Sequence, residues 1–393
     1  MFKDRSIVFL AIAQTLVWAA FYYLFPALLL RWENTLGWSK AEITGAITLA
    51  IFVSALTAPL AGRFIDHGRG ALMMTVSSFL GGICLLWLSQ VESRLEFYLV
   101  WSVLGAVMAG CLYEPCFALI TRARKARAKQ AIILVSLVAG FASTLCYPAI
   151  HSLSEAWGWR PAVQVFAAII LVIATPLMWL GASAVEASGY SGNRKRAGAA
   201  DGRRSFLYQS PFWLLALAFT ALAVVHGVTI HHMFPILADR GLSADAAVTA
   251  ASFIGPMQVA GRLAMMAAEK HLSFDRITAS CFILVSLAVL LLIASSGTPT
   301  LVVGFVILFG SAHGIVSIVR PVVTREILGD DDFGAKFGAI ALLYLVGSAA
   351  SPYLGSLVWE SGGYELVLPV LIGVAMLGLL LYLGAHRRSL KIK

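Results

Sequence analysis

Twelve apolar runs, each near the 20 or so residues a helix needs to cross hydrocarbon, constrain this chain more than any other feature. They fall at roughly 7–30, 42–62, 71–90, 96–120, 129–150, 161–183, 212–236, 246–268, 275–295, 299–324, 334–358 and 364–385. In lipid every peptide group must find its partner inside the protein, so runs of this length become helices. Composition agrees: of 393 residues, 60% are hydrophobic and 12% charged, against about 25% charged in an ordinary soluble domain. The first run starts at Ile7 and continues past Leu24. That is long enough to span, so it reads as a membrane helix and not as a cleaved leader. The expected fold is an all-α membrane protein of twelve transmembrane helices.

The connectors are short with one exception. Residues 184–211 are polar and rich in Gly, Ser, Ala and Arg. They divide the chain into an N-terminal six-helix bundle, 1–183, a cytoplasmic linker, 184–211, and a C-terminal six-helix bundle, 212–393. Lys and Arg set the orientation. With the N-terminus in the cytoplasm, 22 of the 29 Lys and Arg fall on cytoplasmic ends and loops, five on outer loops, and two, Arg262 and Arg320, inside helices. Both termini are therefore expected in the cytoplasm. The net charge of +9 is accounted for by basic loops such as 122–129 lying against anionic headgroups. Membrane lipid is thus an expected partner and nucleic acid is not.

The halves echo one another. Ala61-Gly62-Arg63 recurs as Ala260-Gly261-Arg262, Glu114-Pro115 is matched by Arg320-Pro321, and Pro148 by Pro352, at offsets of 199, 206 and 204 residues. Matches in the same order at nearly one offset indicate a duplicated six-helix unit. Two pseudo-symmetric bundles of this kind form a transporter architecture, with substrate held near the midplane. The five cysteines all sit in apolar runs without metal-ligand spacing and read as reduced packing residues. Gly81-Gly82 and Gly105 with Ala109 read as sites of close helix packing.

Between the second and third runs stands Gly62-Arg63-Phe64-Ile65-Asp66-His67-Gly68-Arg69. It resembles the loop motif of the major facilitator superfamily, in which Gly, three residues, Asp, two residues, Gly and Arg follow in order. Here the Gly-Arg pair arrives one residue early. The resemblance covers essentially the whole chain and implies the major facilitator fold. Gly37-Trp38-Ser39-Lys40, Tyr113-x-Pro115 and Gly261-Arg262 are most similar to the bacterial relatives of monocarboxylate porters. That branch often carries an acid four residues before the helix-eight arginine, where this chain has Gln258. It sometimes carries a basic residue late in helix one, where this chain has Ala27. Residues 140–148 read GFASTLCYP and lack most of the drug-antiporter motif.

Charges inside a span cost about 2.5–3.5 kcal/mol each on insertion scales, so the few that occur are candidates for function. Glu114 is the one deep acid; Arg262 and Arg320 are the deep bases. The repeat places Glu114 and Arg320 at similar depths, and the family implies that their helices approach in the outward-open state. One reading makes them an ion pair closing an inner gate, with Arg63 and Asp66 of the loop motif as further gating residues. Another pairs Glu114 inside its own half, with Arg63 or Arg127. For Arg262 the resemblance implies contact with a substrate carboxylate, which a planar guanidinium fork suits. The alternative is that it echoes Arg63 at the membrane boundary and snorkels to headgroups. Gln258, His226, His313, Tyr113 and Tyr23 complete the candidate substrate site, with Tyr22, Phe25 and Tyr344 as further lining residues. His226 and His313 lie near mid-membrane and could bind substrate, carry a proton, or simply pack. His231 and His232 do not share a helical face with His226, so no metal site is expected.

The chain shows no phosphate-binding loop, catalytic triad or nucleotide fingerprint. The expectation is a monomeric, non-enzymatic secondary transporter of a bacterial inner membrane. It needs no cofactor beyond a coupling proton, and it moves a small organic anion such as a monocarboxylate by alternating access. An efflux carrier for a drug or metabolite, a membrane sensor or receptor, and an intramembrane enzyme are the rivals.

Overall fold

The computed structural model describes residues 4–124, 128–188, 204–329 and 333–390. Part of the expected linker, 189–203, and part of the basic stretch, including Lys125 and Arg127, lie outside the described residues. Contacts divide the chain into two compact units, Met1–Asn193 and Arg194–Lys393. The division falls inside the expected linker.

Unit one holds six long helices: α1 (Arg5–Leu36), α2 (Lys40–Asp66), α3 (Gly70–Leu88), α4 (Arg94–Arg124), α5 (Gln130–Trp157) and α6 (Trp159–Ser188). Capping boxes start α2 at Ser39 with Glu42 and α4 at Ser93 with Glu96. Each satisfies two amide groups that the helix itself cannot. Helix α6 runs five residues past the expected boundary, because Ala182–Ser188 is made of residues that tolerate helix and its Glu186 has work there. The Glu186 carboxylate accepts from the Gly70 and Ala71 amides at 2.9 and 3.4 Å. It thereby caps the bare N-terminus of α3.

Unit two holds α7 (Ser210–His231), α8 in two pieces (Ala244–Ser252 and Ile254–Ala268), α9 (Phe274–Ala294) and α10 (Leu301–Leu328). A continuous helical stretch, Phe333–Leu390, follows. The described residues thus contain ten helices long and apolar enough to cross, not twelve. Two causes account for the difference. Helix α8 is interrupted at Phe253, leaving each piece short. The last stretch has no polar connector, but its 58 residues would reach about 87 Å, far beyond a hydrocarbon core of about 30 Å. Non-helical angles at Gly362 and Gly363 (φ −169° and 63°) break it. The positive φ favours glycine at position 363. Residues 333–361 are α11 and 364–390 are α12, which restores the expected six spans.

The same contacts organise both units. Helix α2 packs on α4 and α3 on α6 in the first; α8 packs on α10 and α9 on α12 in the second. At the α2–α4 crossing a methyl on Gly105 would strike the backbone of Ala50, and at α8–α10 one on Gly314 would strike the backbone of Gln258. Glycine is required at both because the two backbones touch. All five cysteines are free and buried.

Candidate functional site

The second unit gathers most of the candidate chemistry. His226 on α7 and His313 on α10 lie face to face, with ring centroids 3.4 Å apart and planes 4° from parallel. One turn earlier on α10, Phe309 stacks on the same His226 ring at 5.5 Å. Two imidazolium charges at that spacing would repel by about 5 kcal/mol at an effective dielectric of about 20. The stack therefore accommodates one positive charge at most. Leu222, Val285, Val316 and Tyr344 complete the surround and leave a cavity of about 10 Å³. That is about the room one water needs, and too little for a carboxylate.

Two cations flank the stack. Arg320, two turns beyond His313 on α10, holds its guanidinium 4.1 Å from the Tyr344 ring centroid and 5.7 Å from that of Phe337, both on α11. Its Nε is buried and makes no hydrogen bond among the described residues. Within its own unit, among those residues, it lies against rings and against no carboxylate. Arg262 on α8 is half-buried. It is brought in by the glycine before it: Gly261 abuts the backbone of Ser311, two residues from His313. Both guanidinium charges act on His313. Gln258, buried one turn before Arg262, presses its carbonyl against Gly314. Among the second-unit candidates, the structure thus brings together His226, His313, Arg262, Arg320 and Tyr344, with Gln258 on the adjoining crossing.

His231 and His232 face other tasks. Both are fully buried. The His231 Nδ1 lies 2.8 Å from the Gly227 carbonyl. His232 Nε2 lies 2.9 Å from the Pro352 carbonyl and Nδ1 lies 3.0 Å from the Tyr364 hydroxyl. A carbonyl can only accept, so Nε2 carries the hydrogen and the tyrosine donates to Nδ1. This histidine ties α7 to α11 and α12.

The first unit offers rings in place of charge. Helix α1 takes one wide π-turn at Ala19–Tyr23, a distortion frequent at functional sites. Around it Trp18 contacts Tyr22, Tyr23 and Tyr113 at centroid distances of 5.2, 6.4 and 4.7 Å. Tyr147 meets Tyr23 at 5.8 Å. Tyr23 and Tyr113 therefore share one aromatic cluster, through Trp18, a residue that no sequence pattern singles out. Phe25 instead packs on Trp32 and Trp101.

Glu114 is exposed. Helix α4 breaks at Leu112, whose backbone is extended, and a new helical segment, Tyr113–Arg124, starts there. Glu114 sits in its first turn, where the helix dipole favours a negative charge. Pro115 has no N–H, so the Cys111 carbonyl four residues back loses its helical donor. The Gln14 side chain donates to that carbonyl at 2.7 Å. The proline in the sequence announced an orphaned carbonyl; nothing in the sequence announced that a residue nearly a hundred positions away would satisfy it. Arg63 and Asp66 are exposed at the end of α2, away from the aromatic cluster. That end is held by Arg122, whose guanidinium donates to the Ile65 carbonyl.

Two units of six spans, each with the same internal packing and a few buried polar groups, define a many-span membrane carrier. The sequence model described as Major Facilitator Superfamily matches residues 10–277, and the chain belongs to that family. Its similarity reaches the monocarboxylate porter branch. Monocarboxylate transporter 12 of Xenopus laevis is 22% identical over 366 residues, covering 86% of this chain and 78% of the relative. Monocarboxylate transporter 12-B of Danio rerio is 22% identical, covering 82% and 74%. Among solved structures, the nucleoside transporter NupG matches with a TM-score of 0.75 at 13% identity over 100% of both chains. A bacterial homolog of the human lysosomal transporter Spinster, inward-facing and occupied, matches with a TM-score of 0.72 at 15% identity, covering 98% and 97%. At such identities these two establish the shared fold.

Proposed function

We propose that this membrane transporter is a secondary carrier that moves a small organic anion, a monocarboxylate first of all, together with a proton, by alternating access. The observation that carries this reading is the Arg320 guanidinium. It is supported on the Tyr344 face, its Nε is buried without a hydrogen bond among the described residues, and a second cation, Arg262, acts on the same His313. A half-buried guanidinium on an aromatic platform suits a carboxylate, because a charge-assisted pair would replace the hydration lost at the buried Nε. The tyrosine ring offers Arg320 a reason for its depth within its own unit. The likeness to monocarboxylate transporter 12 points the same way. The setting expected for it is a bacterial inner membrane, with both termini in the cytoplasm.

The test is counterflow in proteoliposomes loaded with pyruvate, benzoate, a nucleoside or a cationic dye. The carboxylates should exchange, and Arg262→Ala and Arg320→Ala should each abolish exchange while the proteins remain monodisperse. Exchange of the dye or nucleoside alone would instead support the rival reading, a carrier for a flat metabolite or drug. The aromatic cluster around Trp18 favours that rival.

A further inference from the structure

Helices α1 and α5 pack together in unit one, yet their crossing leaves a hollow of about 420 Å³. Ile12, Thr15 and Leu16 line it from α1, and Leu134, Val138, Phe141 and Leu145 from α5. The Thr15 hydroxyl donates to the Ala11 carbonyl at 2.8 Å, so its hydrogen is used within the helix. The lining side chains therefore offer hydrocarbon and no spare donor. Packed proteins keep few voids larger than a water molecule, and an apolar one does not hold water. Ile12, Phe141 and Leu145 are exposed, so this one is filled from outside. From Leu134 to Leu145 it runs three turns along α5, about 16 Å. Spread over that length, the volume gives a cross-section of about 26 Å², about a third of that of a helix about 10 Å across. The occupant is therefore a single extended hydrocarbon chain and not a helix.

One end of the hollow is charged. The α1 stripe that carries Ile12 and Leu16 continues back to Arg5, two and three turns earlier. Arg5 is exposed and makes no ion pair among the described residues. The adjacent Asp4 is already paired with Arg124, at 2.8 Å. That pair joins the start of α1 to the end of α4, a few residues before α5 begins. On α5, Gln130 is exposed one turn before Leu134, and the basic run 122–129 precedes it in the sequence. An apolar shaft thus ends about 10 Å from an exposed guanidinium, counted from Ile12 to Arg5 along α1.

We propose that this hollow binds an anionic phospholipid, with one acyl chain between α1 and α5 and the phosphate on Arg5. A guanidinium fork suits a phosphate, and the basic end disfavours a headgroup that carries its own ammonium. The bound chain completes the α1–α5 packing three residues before the π-turn that starts at Ala19. The site is separate from the arginines of unit two and does not depend on what the protein transports.

Native mass spectrometry of the delipidated full-length protein tests this, with phosphatidylglycerol, phosphatidylcholine of the same acyl chains, or palmitate added to the detergent. The wild type should retain one phosphatidylglycerol in preference to the other two. Arg5→Gln, a change at an exposed position, should lower that preference about fivefold, the worth of one cation at an anionic surface. Val138→Trp, which fills the hollow, should abolish retention of either phospholipid. A phosphatidylglycerol with a photoreactive acyl chain gives a readout on the wild type that needs no folded variant: crosslinks should concentrate on α1 and α5, around Leu16 and Val138. Equal retention of the two phospholipids, an Arg5→Gln protein that keeps the full preference, or crosslinks spread evenly over the other spans overturns the proposal. Retention of palmitate in place of phospholipid would assign the hollow to a free fatty acid, and a dimer that excludes lipid would assign the face to a second copy; either result overturns it as well.

Discussion

The two units share a packing scheme and differ in what they bury with it. Each presses one pair of helices backbone to backbone through glycine, at Gly105 against Ala50 and at Gly314 against Gln258. Each ties its sixth helix to the start of its third, but with opposite polarity. In unit one Glu186 caps the bare N-terminus of α3. In unit two the acid sits on α9 itself, where Asp275 receives the Tyr382 hydroxyl and His386 Nδ1, both at 3.0 Å. Inside, unit one holds uncharged rings around Trp18, while unit two holds two arginines around two stacked imidazoles. The lesson is that backbone contacts fixed by glycine form the common scaffold. Side chains exchanged on that scaffold give one half stacked imidazoles with an arginine on a tyrosine ring, and the other an aromatic cluster.

The largest expected effect tests the scaffold. Gly105→Leu and Gly314→Leu should each prevent the close crossing, at a cost of about 3 kcal/mol or more, since overpacking a tight contact commonly costs about 1–3 kcal/mol. Gly62, which meets nothing within 4 Å, should accept alanine with little change. Thermal unfolding of the detergent-purified proteins reads the difference, and unequal losses at the two crossings would show that the scaffolds are not equivalent.

Next come the charges of unit two. Arg320→Lys keeps the charge but loses the planar fork and its stacking, and should weaken carboxylate binding about 10-fold or more, as loss of charged hydrogen bonds does. Tyr23→Phe in unit one, by contrast, should leave carboxylate affinity nearly unchanged. If Tyr23→Phe proved the more damaging, recognition would have to be moved to the aromatic side. Tyr344→Leu should cost less than Arg320→Lys, about 1 kcal/mol or roughly fivefold in affinity, the worth of one partly buried cation–π contact. Smaller again is the polarity at the helix starts. Glu186→Gln should destabilise unit one by about 1 kcal/mol through the lost cap. His386→Ala should do less in unit two, because its pairing with Asp275 is partly exposed to water.

The amino-acid sequence by itself determined the all-helical membrane fold and the approximate positions of most spans. These depend on the transfer of each run into lipid, a property every segment carries alone and that sums along the chain. Span boundaries were less legible where helix continues past the apolar stretch, as at Ala182–Ser188, or where two spans join without polar residues, as at Gly362-Gly363. The sequence named candidate residues but not how they are arranged. Only the tertiary structure decided that His226 and His313 stack, that Arg320 rests on Tyr344, that Trp18 joins Tyr23 to Tyr113, and that Gln14 repairs the carbonyl orphaned by Pro115. Such meetings depend on the rotation and depth of one helix against another. Those are set by where glycine lets backbones touch, and a single run considered alone carries no information about its neighbour.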